Sequence, residues 1–106
     1  MNIVIVEDEK LSAEHLATML QKIDTDFQIA ANFDCVRSTV AAFQQGLQAD
    51  MMFLDIHLAD GNGFDIFKSL QLDIPIIFTT AYHEYAIQAF QVNSVDYLLK
   101  PIGMQE

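Results

Sequence analysis

Four places along the chain carry groups able to handle a phosphoryl group or a metal ion, and each closes an apolar run. Glu7 and Asp8 follow "NIVIV", Asp55 ends "MMFLD", Thr79 and Thr80 end "IPIIFTT", and Lys100 ends "DYLLK". A carboxylate at such a place is costly to desolvate unless a positive charge meets it. An aspartate can also attack phosphorus and form an aspartyl phosphate. That reaction needs an in-line attacker and neutralisation of the charge on the equatorial oxygens. Gathered into one pocket, Glu7, Asp8 and Asp55 would repel one another and call for a cation. An all-oxygen acidic site favours Mg²⁺, which takes few carboxylates and keeps waters for a phosphate ligand. Lys100 offers a second positive charge, and a hydroxyl or amide near Thr80 and Ala81 offers a further contact.

The elements that must position these groups are legible as short apolar runs alternating with segments of helical period. Residues 2–6, 27–33, 51–55, 74–80 and 96–100 read as strands, the first β-branched and nearly uninterrupted, as a strand buried on both faces should be. Leu16, Met19, Leu20 and Ile23 line one face of a first helix. Val36, Val40, Phe43 and Leu47 line a second, with Gly46 near its end. "GNG" (61–63) is a loop before a short helix carrying Phe64, Phe67 and Leu70, and 83–93 forms a fourth helix with Ala86, Ala89 and Phe90 inward. Strict alternation predicts an α/β fold, an open doubly wound five-stranded parallel sheet. Ligands of such sheets bind outside the carboxyl ends of the strands, at the topological switch point. If the first and third strands are neighbours, the three carboxylates meet there.

Five strands but only four helices are readable, and "PIGMQE" is too short for a full fifth helix. The 106 residues therefore read as one C-terminally truncated domain from the N-terminal part of a longer protein. A sheet face short of its cover should be apolar, so self-association, as a homodimer for instance, is expected. With 15 acidic against 5 basic residues, the chain has no electrostatic footprint for nucleic acid. No apolar run approaches the roughly 20 residues of a membrane span. The start lacks a basic n-region, and Cys35 is the lone cysteine, so a reducing cytoplasm is expected.

The set "VEDE", "FLDIHLADG", "FTTAY" and "DYLLKP", in that order over nearly the whole chain, resembles the receiver domain of bacterial two-component response regulators. "TTAYHEYAIQAFQVNSVDYLLKPI" further resembles receivers of the LytTR class, which precede a mostly-β DNA-binding domain. The resemblance implies a flavodoxin-like strand order 2-1-3-4-5, with the fifth helix largely missing. It implies that Asp55 is the phosphoacceptor and that Glu7, Asp8, Asp55 and the backbone carbonyl of His57 hold Mg²⁺. Thr80 and Lys100 then match the phosphoryl-sensing pair, Tyr97 an aromatic switch, and Lys100–Pro101 a bond that is usually cis. A sensor histidine kinase would donate the phosphoryl group, and the new charge would act on the face formed by the fourth helix and fifth strand. DNA binding is implied for the parent protein and not for this piece. Many members of the family carry proline where this chain has Ala59, so the loop after Asp55 lacks that ring's restraint.

Plainer readings stand beside these. The His57 side chain should face solvent, and Thr79 should be packed rather than functional. Asp60 reads as loop chemistry beside Gly61, Cys35 as a small inert residue on the second helix, and Asp24, Asp26, Asp34 and Asp73 as turns or caps. An alternative function is a Mg²⁺-dependent phosphohydrolase of the aspartyl-phosphate type. Such enzymes usually place a second acid two residues after the nucleophile, where this chain has His57. A flavin or nucleotide module would want a Gly- or Ser/Thr-rich loop after the first strand, where "EDEKLS" is acidic.

Overall fold

In the computed structural model, β1 (Asn2–Val6) sends its side chains alternately to two cores. Val4 and Val6 join Met52, Leu54, Ile76 and Phe78 in one core, against Val36, Val40 and Phe43 of α2 (Val36–Gln44). Ile3 and Ile5 join Phe53 on the opposite face, against Ala13, Leu16, Met19 and Leu20 of α1 (Lys10–Ile23). Burial on both faces is why the strand reads as an unbroken apolar run. The described residues are 1–80 and the strand 94–99, for which, as for Thr80, only the backbone is described. The expected helix over 83–93, the shortened fifth helix, Lys100 and its bond to Pro101 lie outside them.

The other strands are β2 (Gln28–Phe33), β3 (Met51–Asp55), the two-residue β4 (His57–Leu58) and β5 (Gly61–Asn62), β6 (Ile76–Thr80) and β7 (Ser94–Leu99). β4 and β5 form a small antiparallel hairpin. The five long strands make one parallel sheet in the order β2-β1-β3-β6-β7. Counting long strands only, this is the expected 2-1-3-4-5, with α1 and α2 on opposite faces. No helix among the described residues is long and apolar enough to cross a membrane.

Three local expectations are corrected. Ile23 shares the helical angle of Leu16 but is 62% exposed, because it is the last residue of α1, one turn past the last buried position, Leu20. The short helix after the loop is a 3₁₀ helix, Gly63–Lys68, tighter than an α-helix and suited to a brief connector. Cys35 does not lie on α2 but caps it, its Sγ accepting from the Ser38 N–H at 3.4 Å.

Gly46 terminates α2 as expected, with φ +106° and its N–H donating to the Phe43 carbonyl at 3.2 Å. A Cβ there meets nothing within 4 Å, so the backbone conformation alone decides a substitution. Gly46→Ala is expected to cost about 1–2 kcal/mol of stability. Urea unfolding checks this, and an unchanged midpoint would contradict it.

Candidate functional site

The chain passes from β1 outward to β2 and returns to β3 on the other side of β1. The crevice at the carboxyl ends of β1 and β3 is therefore the switch point of the sheet. Val6 pairs with Leu54 there, so Glu7 and Asp8, just past β1, emerge beside Asp55, the last residue of β3. Carboxylate oxygens of Glu7, Asp8 and Asp55 lie within 4.8 Å of one another. Glu7 and Asp55 are 6% and 4% exposed, so two of the three carboxylates are largely desolvated, whereas Asp8 is open to solvent. Backbone amides orient the buried pair. The Glu9 N–H donates to Glu7 Oε2 at 3.1 Å, and the His57 N–H donates to Asp55 Oδ1 at 3.3 Å.

This donor set is all oxygen, anionic and small enough to share one ion directly or through water, which fits Mg²⁺. Mg²⁺ bound there would offset repulsion among three carboxylates and leave coordination positions for a phosphoryl oxygen. A cavity of about 510 Å³, lined by Glu7, Asp8, Lys10, Asn32 and Asp34 among others, opens the acidic end to solvent on the β2 side.

On the far side, Asp55 pairs in register with Thr79, whose carbonyl accepts the Ile56 N–H at 3.2 Å. Thr79 is 3% exposed, packed as expected, and Thr80 is the next and last residue of β6. Thr80 pairs with Leu99 and Phe78 with Tyr97 in β7, so the strand carrying Tyr97 borders β6. The side chains of Thr80 and Tyr97, and all of Lys100 and Pro101, lie outside the described residues.

The loop after Asp55, without a proline ring at Ala59, is held by bonds to the rest of the fold. The side chain of His57 is exposed, as expected, while Leu58 beside it is buried. The Gly63 N–H donates to the Ile56 carbonyl at 2.6 Å, folding the loop back on the end of β3. Asn62 and Asp65 form a reciprocal capping box at the start of the 3₁₀ helix, with the Phe64 N–H at 2.8 Å from Asn62 Oδ1 and the Asn62 N–H at 3.0 Å from Asp65 Oδ2. Asp60 accepts from the Val36 N–H at 2.7 Å and the Arg37 N–H at 3.1 Å, one carboxylate oxygen for each. It thus caps α2 from 24 residues away. Asp60 is therefore more than local turn chemistry.

The Val36 amide, above all, holds the Asp60 carboxyl below its ordinary value of 3.8. A depressed folded value means that the cap's contribution is complete above the unfolded value and fades as pH falls through the folded one. A carboxyl-carbon NMR titration is expected to place the Asp60 midpoint below 3.8. A midpoint at or above that value would contradict the cap.

The chain matches the family model described as the response regulator receiver domain over residues 3–106. It is 38% identical over 104 residues to the sensory transduction protein LytT of Bacillus cereus, covering 95% of this chain and 42% of that protein. It is 37% identical over 108 residues to the transcriptional regulatory protein LytR of Staphylococcus aureus, covering 99% of this chain and 43% of that protein. The chain thus spans less than half the length of these relatives. Among solved structures, the response regulatory domain of mrkE from Klebsiella pneumoniae superposes with a TM-score of 0.86 at 30% identity, covering 99% of this chain and 87% of that one. A fold with this strand order, an acidic triad at its switch point and a family match over almost its whole length lead to one conclusion: the chain belongs to the response regulator receiver domain family.

Proposed function

We propose that this receiver takes a phosphoryl group on Asp55 from a sensor histidine kinase in a Mg²⁺-dependent transfer. The convergence of Glu7, Asp8 and Asp55 oxygens within 4.8 Å at the switch point carries this reading. An Asp55 oxygen forms the bond to phosphorus as the bond from phosphorus to the donor's imidazole nitrogen breaks, the electron pair leaving with that nitrogen. Glu7, Asp8, Asp55 and the His57 carbonyl would hold the ion, whose positive charge would neutralise the phosphoryl oxygens. The His57 N–H, already directed at Asp55, keeps the attacking carboxylate oriented. Thr80 and Lys100 sense the product, Tyr97 relays it, and the face of β7 transmits it. In the parent protein, transmission to a DNA-binding domain is supported by the transcriptional role carried in the name of the LytR relative.

The chain acts as a signalling acceptor, phosphorylated once, rather than as a turnover enzyme. His57 at the second position after Asp55 supports this against the phosphohydrolase alternative, because no acid stands there to protonate a leaving group. A cytoplasmic location accords with the unpaired Cys35. Self-association as a homodimer belongs to the same reading, and sedimentation of the domain as a clean monomer at high concentration would contradict it.

Incubation with acetyl phosphate tests the reading. Intact mass is expected to show a single phosphoryl adduct that requires Mg²⁺ and is missing in Asp55→Asn. An adduct of equal yield in Asp55→Asn, or continued hydrolysis of a phosphomonoester by the wild type, would overturn it.

A further inference from the structure

We infer that Asp60 is a positioning residue for the metal site, clamping the hairpin that carries His57 onto the N-terminus of α2. The inference rests on the proposed Mg²⁺ site and on the His57 carbonyl as one of its ligands. His57 pairs with Asn62 and Leu58 with Gly61, so Ala59 and Asp60 form the two-residue turn of the β4–β5 hairpin. The base of the hairpin is tied to the end of β3 by the Gly63–Ile56 bond, but at its turn Ala59 brings no ring to fix the backbone. The turn itself is fixed to the rest of the fold by both Asp60 oxygens, bonded to successive amides of a helix that is itself packed on the sheet core. Charge-assisted bonds of this kind are the stronger class and fix direction as well as distance. The clamp lies three residues from His57 and five from Asp55. Groups that orient a ligand from outside the coordination sphere commonly govern metal affinity.

α2 provides its own control. Its N-terminus has a local cap, the Cys35 sulfur taking the Ser38 N–H, and a long-range cap, Asp60. Removing either weakens the helix end, but only removal of Asp60 also unties the hairpin turn from α2. Mg²⁺ titration followed by the backbone amide resonances of Asp55, Ile56 and His57 separates the two in wild type, Asp60→Ala, Asp60→Asn and Cys35→Ala. Asp60→Ala is expected to weaken Mg²⁺ binding about tenfold. Asp60→Asn keeps one carbonyl acceptor and is expected to fall between Asp60→Ala and wild type, so it carries the test if the alanine variant fails to fold. Cys35→Ala is expected to bind close to the wild-type value. Equal weakening in Cys35→Ala, or wild-type affinity in both Asp60 variants, would overturn the positioning role and leave the metal site standing. A wild type that binds no Mg²⁺ at these amides would overturn both.

Discussion

Asp8→Ala is expected to abolish the stabilisation that Mg²⁺ confers without destabilising the metal-free domain. Asp8 is the exposed member of the triad, so its removal leaves no cavity. Two electrostatic changes then oppose each other. Asp8 lies just before α1, where the helix dipole favours an acid by about 0.3–1 kcal/mol. Removing it also relieves repulsion with Glu7 and Asp55, which are buried and so weakly screened, making this the larger change. The metal-free melting temperature is therefore expected at or above that of wild type. Mg²⁺ behaves differently. At ten times its dissociation constant an ion that binds only the folded state adds about 1.4 kcal/mol, which is roughly 6–11 °C for a domain of this size. Loss of one of three carboxylates should remove nearly all of that rise. Melting curves with and without Mg²⁺ read both quantities, and a wild-type rise in Asp8→Ala would contradict the assigned site.

The second large effect falls on Gly63. A Cβ at this position would run into the Asp55 carbonyl oxygen and crowd the Leu54 side chain. The obstacle is backbone at the end of a buried central strand, which cannot yield as the tip of a flexible side chain would. Gly63 has no positive φ, so the cost is steric and not torsional. Gly63→Ala is expected to lose about 3 kcal/mol, at the upper end for an overpacked site, with a fall in melting temperature of roughly 15 °C. The contrast with Gly46→Ala is informative, since there the space is open and only the backbone objects. Denaturant unfolding of both variants should rank Gly63→Ala well below Gly46→Ala. The reverse order would mean that the loop does not press against Asp55.

These two glycines also mark where the sequence was readable and where it was not. β3 could be bounded as 51–55 because a strand buried on both faces is one apolar run and stops at its first charge. The triad followed from strand ends, since Glu7, Asp8 and Asp55 need only the order β1 beside β3 to meet. Gly46 was legible because the end of a helix is a local event. The close approach at Gly63 was not, because it depends on a neighbour eight residues back along a folded path. Asp60 was hidden for the same reason, its partners Val36 and Arg37 lying on a different element. The Asn62–Asp65 capping box was present as a four-residue pattern and was masked by the two glycines around it, which read as loop. Ile23 fitted the helical period and still faces solvent, because period gives an angle around the axis but not where the sheet beneath it ends.

The most direct test of the account is chemical identification of the phosphorylated residue. After acetyl phosphate and Mg²⁺, borohydride reduces an aspartyl phosphate at its acyl carbon, releasing phosphate and leaving homoserine in place of aspartate. Peptide mass mapping of the wild-type protein is expected to find homoserine at position 55 alone, and none when Mg²⁺ is withheld. Homoserine at another acidic position, or the same yield at position 55 without Mg²⁺, would contradict the claim that Asp55 is the acceptor in a site built by Glu7 and Asp8.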